Sequence, residues 1–372
     1  MNFDYLEEHE LLRDSARNFL SRNDPLTVLR SSPPLQPGQR LARLRANAAQ
    51  GWAGILVEEN CGGAGLTILD AMVVAEELGR FADPWAFAAH NATCDAVARW
   101  GSDAQRADIL AAMGEGRVIV ARSNRVGKAQ FAGPEIPLVA EPHPAGWCVR
   151  GTVSLIQDAD IADFFLVDGV VPGGQAEFLI ATDTEGVVVR EIVGMDVSRR
   201  HCDVTFNSSM IPRTARLGNE QTAVSSIERQ ACIGAVLTAA DSVGVASRLL
   251  EMTVAYTKER IAFGKPVAAF QAVKHRCADM LVQVENARVA TWYAAIALRD
   301  ARPDMHAAAS IAKFFATEAG SLVASQALQL HGGLGMTWEH DLHFFYKRAK
   351  ANELLWGSSA SHREYVADAL AL

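Results

Sequence analysis

Cysteine is scarce and scattered in this chain: six of 372 residues, standing singly at Cys61, Cys94, Cys148, Cys202, Cys232 and Cys277. No two share a C-x-x-C spacing, so no zinc site or redox pair is expected, and they read as reduced packing residues of a cytoplasmic protein. Lysine and arginine form no block. With 35 basic and 43 acidic side chains the formal charge is -8, which argues against nucleic acid as a general partner. Uninterrupted apolar runs are missing too. The most apolar stretch, residues 231–250, is broken by Thr238, Asp241, Ser242 and Ser247, as in a helix buried in protein and not in a membrane. Glu7, Glu8 and Glu10 make the N-terminus acidic where a secretory leader would be basic and then apolar, so no signal peptide is expected. Internal repeats and low-complexity segments are absent. What the chain has is apolar bulk: 49% of it is hydrophobic, ample for a large core.

Amphipathic spacing predicts a first helix over 5–21, with Leu12, Ala16, Phe19 and Leu20 on one face and Glu8, Arg13 and Arg17 away from it. Pro33, Pro34 and Pro37 follow as a linker. Helical patterns over 40–50, 68–78, 85–100 and 103–113 complete an all-α domain, residues 1–116. Residues 117–218 change texture to short β-type runs at 147–150, 164–167, 178–180, 187–190 and 202–206, bounded by Gly, Pro and Asp. Residues 219–372 are helical again, in four or five long segments that would pack as a bundle. The class is α+β.

The chain is organised around residues 258–271, Lys-Glu-Arg-Ile-Ala-Phe-Gly-Lys-Pro-Val-Ala-Ala-Phe-Gln, between helical patterns over 225–257 and 273–298. Phe263-Gly264-Lys265-Pro266 reads as a helix–helix elbow in which Gly ends one helix and Pro opens the next. Arg260, in the last turn of the first helix, would suit the dipole there without any further role. A second stretch, Gln329-Leu-His-Gly-Gly-Leu-Gly335, ends a third helix over 307–330. Its glycines follow a helix and not a strand, which excludes a Rossmann phosphate loop.

Together, Arg-x-x-Phe-Gly-x-Pro with Gln271, and Gln-x-x-Gly-Gly-x-Gly, closely resemble the C-terminal signature of the acyl-CoA dehydrogenase family. The resemblance extends over nearly the whole chain through Gly51-Trp-Ala-Gly54, Gly62-Gly-Ala-Gly65 and Glu76-Glu-Leu-Gly-Arg80. It implies an N-terminal all-α domain (1–116), a small middle β-barrel domain (117–218), a C-terminal helical bundle that oligomerises (219–372), and FAD as cofactor.

The family's reaction removes a proton next to a thioester carbonyl while a hydride leaves the adjacent carbon for the flavin, so it needs a carboxylate base, a flavin face and donors to the carbonyl. Most relatives carry the base as a glutamate before Gly-Thr or Gly-Ser, shortly after a Tyr-Arg-Asp-Ala-Lys run. Here the run is Tyr346-Lys-Arg-Ala-Lys350 and the residue before Gly357 is Trp356. Relatives that place the glutamate on the preceding long helix have it where this chain has Gly234; Glu228 lies about a turn and a half too early and Asp241 about two turns too late. Glu353, one turn before Trp356, reads as a solvated or ion-paired residue more readily than as a displaced base. The flavin-face loop and the later Trp-Ile-Thr of relatives correspond to 123–128 and to Leu155-Ile-Gln157, so the stacking tryptophan and the threonine hydroxyl are gone. Ser358 keeps a hydroxyl where the family has threonine, and Ala360 replaces a glutamine.

The departures follow a pattern. Residues by which relatives hold their own FAD are degraded, whereas those that reach a neighbour's FAD are kept: Arg260, Phe263, Gln271, Gln329, Gly332 and Gly333. Arginine suits a pyrophosphate, phenylalanine an adenine, the amides polar edges, and the glycines a close backbone approach. The resemblance therefore implies a non-catalytic subunit with no catalytic residue of its own. It would pair with a catalytic paralogue in a heterotetramer of two copies of each chain, as in bacterial enzymes of steroid side-chain degradation. Acyl-CoA would bind in the partner's site, and an electron-transfer flavoprotein would accept the electrons. Two alternatives stay open: a homo-oligomeric flavoprotein with a relocated base, and a flavin-free scaffold. His331 reads as a packing or capping residue, Arg199-Arg200 as a structural pair, and Trp338, Phe344, Phe345 and Tyr346 as interface or core aromatics.

Overall fold

The computed structural model of the chain describes residues 6–31, 35–123 and 138–371. Its first part is helical: α1 (Glu7–Arg22), α2 (Pro25–Ser31), α3 (Pro37–Ala48), α4 (Ile68–Arg80), α5 (Phe87–Trp100), α6 (Asp103–Gln105) and α7 (Ala111–Gly114). Leu12 and Phe19 of α1 are half-buried and Ala16 and Leu20 fully so, and Arg17, off that face and half-exposed, forms a two-pronged ion pair with buried Glu77 of α4. Pro37 opens α3 instead of ending a linker, where its fixed φ and missing N–H cost nothing. Helix α2 escaped the sequence reading because seven residues show no full amphipathic period; Asp24 starts it by accepting from the Leu26 N–H at 3.0 Å. The expected helix over 103–113 is interrupted between α6 and α7 by a π-helical turn, Arg106–Leu110.

Eight strands follow: β1 (Val120–Arg122), β2 (Val139–His143), β3 (Gly146–Gln157), β4 (Phe164–Val171), β5 (Gly174–Ala181), β6 (Val187–Ile192), β7 (His201–Ile211) and β8 (Arg216–Leu217). They form one mixed sheet in the order β6-β7-β3-β2-β4-β5-β8, with β1 parallel to β4. The sheet has its own core of Phe165, Phe178, Phe206 and Ile156. A register irregularity between Val153 and Ile156 of β3 contains Leu155 at φ 58°, the local kink a bulge produces.

The C-terminal part holds α8 (Ala223–Glu259), a hairpin of β9 (Ile261–Ala262) and β10 (Lys265–Pro266), α9 (Gln271–Arg299), α10 (Met305–His331), α11 (Leu342–Asn352) and α12 (Ser359–Ala369). Helix α8 is long and apolar enough to cross a membrane by length and composition, yet 89% of its apolar window is buried inside the protein. It packs with α4, α9 and α10 in a core shared by the first and last domains, including Leu20, Val74, Val236, Leu249 and Ala312. Two glycines, Gly79 of the 76–80 motif and Gly244 of α8 itself, explain its approach to α4. A Cβ on Gly244 would lie 1.9 Å from the Glu76 carbonyl oxygen, and one on Gly79 would lie 2.1 Å from that of Asp241. The two backbones touch, and only glycine at both places permits it.

The expected helix–helix elbow is instead a hairpin. Ala262 pairs with Lys265 and Ile261 with Pro266, leaving Phe263 (φ 53°) and Gly264 (φ 76°) as a two-residue turn. Positive φ at both central residues matches the twist of paired strands, so glycine here serves a turn and not a helix end. Helix α8 stops at Glu259 with Arg260 as its cap, and α9 begins at Gln271 with Pro266 already behind it.

Candidate functional site

A tight turn between α11 and α12 decides the character of the pocket on α8. Buried Lys313 of α10 donates to the carbonyls of Asn352 at 2.9 Å and Gly357 at 3.1 Å, and His362 Nε2 donates to the Trp356 carbonyl at 2.8 Å. Burial lowers the Lys313 ammonium to about 7 and the His362 imidazole to about 4. Held at three carbonyls, the turn takes left-handed φ at Trp356 (58°) and Gly357 (99°). This aims the indole inward, where it is 2% exposed. It lands on Gly234: a Cβ there would lie 2.1 Å from Cδ2 of the ring and 2.3 Å from Cε2 and Cε3.

Gly234 and Trp356, the two positions where the resemblance would place a base, are thus in contact and fill each other. A cavity of about 30 Å³ remains, walled by Leu78, Trp85, Phe87, Leu237, Leu355 and Trp356. That is room for a water molecule; pockets for organic ligands run to about 300–1,000 Å³. One carboxylate lines it, Asp241, and it already accepts from Arg199 (3.1 Å), Arg348 (3.1 Å) and Asn352 (2.6 Å). Glu353 lies outside the lining, 3.5 Å from Lys350, so it is the ion-paired residue expected and is not poised as a base. Gln157, in place of the threonine, lines the cavity and donates to the Pro84 carbonyl at 2.8 Å. Residues 124–128 of the flavin-face loop lie outside the described residues.

A buried polar seam fixes the three domains around this point. Arg348, where the family run has aspartate, donates to Asp196 (2.9 Å), Ser198 (2.7 Å) and the carbonyls of Ala82 (3.0 Å) and Asp83 (2.7 Å). The Arg348 and Arg199 guanidiniums help hold the buried Asp196 carboxyl below the usual carboxylate range, although burial alone would raise it. Arg40 of α3 reaches Asp158 (2.6 Å) and Asp160 in the sheet domain. Arg199 also donates to Asn352 at 2.7 Å, in keeping with the structural role read for it.

The retained residues lie elsewhere. Arg260 caps α8 with an exposed guanidinium that has no partner among the described residues. Phe263, at the hairpin tip, is 94% exposed. Gln271 opens α9, Gln329 sits in the last turn of α10, and Gly332 and Gly333 follow it, all exposed. The two signature stretches meet because Tyr256, one turn before Arg260, stacks on buried His331 at 4.4 Å and reaches its carbonyl at 3.4 Å. His331 Nδ1 bonds the Ala327 carbonyl at 2.8 Å, the packing and capping role expected. Added Cβ atoms on Gly332 and Gly333 would meet open space. Arg260 follows Gly234 by 26 positions on α8, about 39 Å at 1.5 Å per residue. The exposed set is too far from its own chain's pocket to serve it.

Sequence reasoning missed Lys313, His362 and Tyr256. A lone lysine within the Ala-rich face of α10 was the one available signal for the first; the others depend on contacts between helices.

A helical domain, a mixed-sheet domain and a long-helix bundle thus meet around the cavity beside α8, a three-domain α+β architecture. Comparison with known proteins agrees: the family model for the acyl-CoA dehydrogenase N-terminal domain matches residues 6–117, and that for the C-terminal domain matches 225–371. The chain belongs to the acyl-CoA dehydrogenase family. It is 32% identical to acyl-CoA dehydrogenase IpdE2 of Mycolicibacterium smegmatis over 94% of this chain and 95% of that one. Among solved structures it resembles a variant of the Tcur3481-Tcur3483 steroid ACAD, with 26% identity, 98% of both chains covered and a TM-score of 0.86. It also resembles the FAD complex of PigA, with 25% identity, full coverage of both chains and a TM-score of 0.91.

Proposed function

We propose that this chain is the non-catalytic subunit of a heteromeric, FAD-dependent acyl-CoA dehydrogenase. A paralogue of the same fold supplies the carboxylate base, the flavin pocket and the acyl-CoA site, in a heterotetramer of two copies of each chain. The observation that carries this reading is the Trp356–Gly234 contact, which closes both base positions at once. General-base assistance is worth about 10²–10⁴ in rate, too much for a dehydrogenase to forgo. The chain's own pocket does not fit a flavin; its exposed end does fit the edge of one held by a neighbour. There Arg260 would pair with the pyrophosphate, Phe263 would pack on the adenine, Gln271 and Gln329 would bond polar edges, and the Gly332-Gly333 backbone would approach closely. FAD, when bound, supplies the hydride acceptor, and an electron-transfer flavoprotein would take the electrons onward. The steroid ACAD named above supports a steroid side-chain thioester as the substrate class.

The test is to purify the chain alone and with its genomic-neighbour paralogue and to record flavin absorbance, assembly size and acyl-CoA oxidation with an artificial acceptor. Activity and flavin are expected in the mixed assembly alone, with R260A weakening flavin retention there. Ordinary turnover by the isolated chain would refute the reading.

A further inference from the structure

Beside the plug lies a second buried cluster that none of the family's signature residues accounts for. Arg122 ends β1, directly before the segment that corresponds to the flavin-face loop; Glu177 lies on β5; Gln230 lies on α8, one turn before Gly234. All three are buried, at 1%, 0% and 0% exposure. Arg122 Nη1 donates to Glu177 Oε1 at 3.1 Å, and Gln230 Nε2 donates to the same oxygen at 2.7 Å. Gln230 is anchored in turn to Ser226, at 2.9 Å to its hydroxyl and 3.2 Å to its carbonyl. Arg122 also stands 3.6 Å from Asp168, and its guanidinium carbon lies 6.0 Å from the centroid of the Trp356 ring. The contacts close a circuit: β1 to β5, β5 to α8, α8 to Trp356, and Trp356 back to β1.

We propose that Arg122, Glu177 and Gln230 are a lock that clamps the sheet domain directly onto α8 and, with Trp356 on Gly234, shuts flavin and thioester out of this chain's own site. The inference uses the reading above only in taking this pocket as the place of the family's chemistry, and it stands whether or not a catalytic paralogue exists. A planar ring entering between sheet and helix would have to part Arg122 from Glu177 and leave that buried carboxylate without its cationic partner, a break in a buried pair that folded proteins tolerate poorly. An apolar filler would close the gap without that penalty for opening. Among the described residues Glu177 Oε2 and Gln230 Oε1 have no hydrogen-bond partner, so the cluster is not optimised for stability. Its geometry instead specifies one closed arrangement.

Hydrogen exchange read by mass spectrometry tests this on the wild-type chain, alone and in the mixed assembly, with and without excess FAD or a long-chain acyl-CoA. Peptides over 120–123, 176–179, 226–234 and 352–358 are expected to exchange within about twofold of their ligand-free rates. Slowing of these peptides by about fivefold or more on adding either ligand would overturn the proposal. Protection of 260–271 reports on the cross-subunit reading separately, so either idea can fail without the other. R122M is expected to speed exchange over 226–234 by about tenfold, and R122M/E177M to restore it. Unchanged exchange in R122M would show that the cluster holds nothing closed.

Discussion

The indole of Trp356 lies flat against Gly234, so close that a methyl group on that glycine would sit inside the ring's van der Waals envelope. G234A should therefore force the ring, its latched turn or α8 to move. The expected loss is about 1–3 kcal/mol, the usual range for overpacking, read as a lower urea midpoint. In a W356G background the same alanine should cost much less, because residues in contact are not additive.

Phe263 is the opposite case, a residue whose conformation is strained and whose exposed ring meets only the edge of Phe270 at 6.1 Å among the described residues. A phenylalanine at φ 53° on an exposed turn carries about 1–2 kcal/mol of left-handed strain that glycine lacks. F263G should leave thermal stability unchanged or slightly higher and yet reduce flavin retention in the mixed assembly. A parallel fall in both would assign Phe263 to folding and not to the cofactor.

Arg348 joins all three domains with its charge fully buried. R348M leaves Asp196 and Asp241 without that partner, and breaking a buried pair from one side costs about 3–5 kcal/mol. The expected result is a lower melting temperature with early exposure of the sheet domain to protease.

Acid should weaken the fold through its histidines. Burial lowers His90, His201 and His362 to about 4 from an ordinary 6.5. Between those values the unfolded chain binds protons that the folded one refuses, so stability falls as pH drops from 6.5 toward 4, by on the order of 3 kcal/mol per histidine. Asp158, raised to about 6 by burial, has the opposite sign over 3.8 to 6 and offsets one of the three. Urea titrations at pH 4.5 and 7 should show the net loss.

Lys313 sets a second window at the alkaline side. Its folded value of about 7 lies below the ordinary 10.5, so stability should rise as pH climbs from 7 to 10.5, and K313M should remove that rise. K313M also strands the carbonyls of Asn352 and Gly357, so it should loosen the Trp356 turn, seen as a red shift of tryptophan emission.

Much of the fold was legible because its signals are local. The long helical patterns, the short β runs and the two signature stretches show in neighbouring residues, and so did the missing glutamate. The hairpin was misread as an elbow because Phe-Gly before Lys-Pro carries a helix-stop signal as readily as a turn signal; pairing of Ala262 with Lys265 decides between them, and two-residue strands leave no periodicity. The π-helical turn between α6 and α7 left no mark for the same reason.

By itself the sequence, through its resemblance to the family's signature stretches, determined that this is an acyl-CoA dehydrogenase-type chain that keeps those stretches and has no glutamate at either position where the resemblance places the base. The resemblance is carried by residue identity within short stretches of chain. Only the tertiary structure decided that the two substituted positions are one contact, that Arg122, Glu177 and Gln230 close beside it, and that Arg260 stands far from the pocket of its own chain. The reason is physical: spacing along the chain sets which face of a helix a residue occupies, but which faces meet depends on how helices and sheet cross, through close approaches such as Gly79 to Asp241 and Gly244 to Glu76.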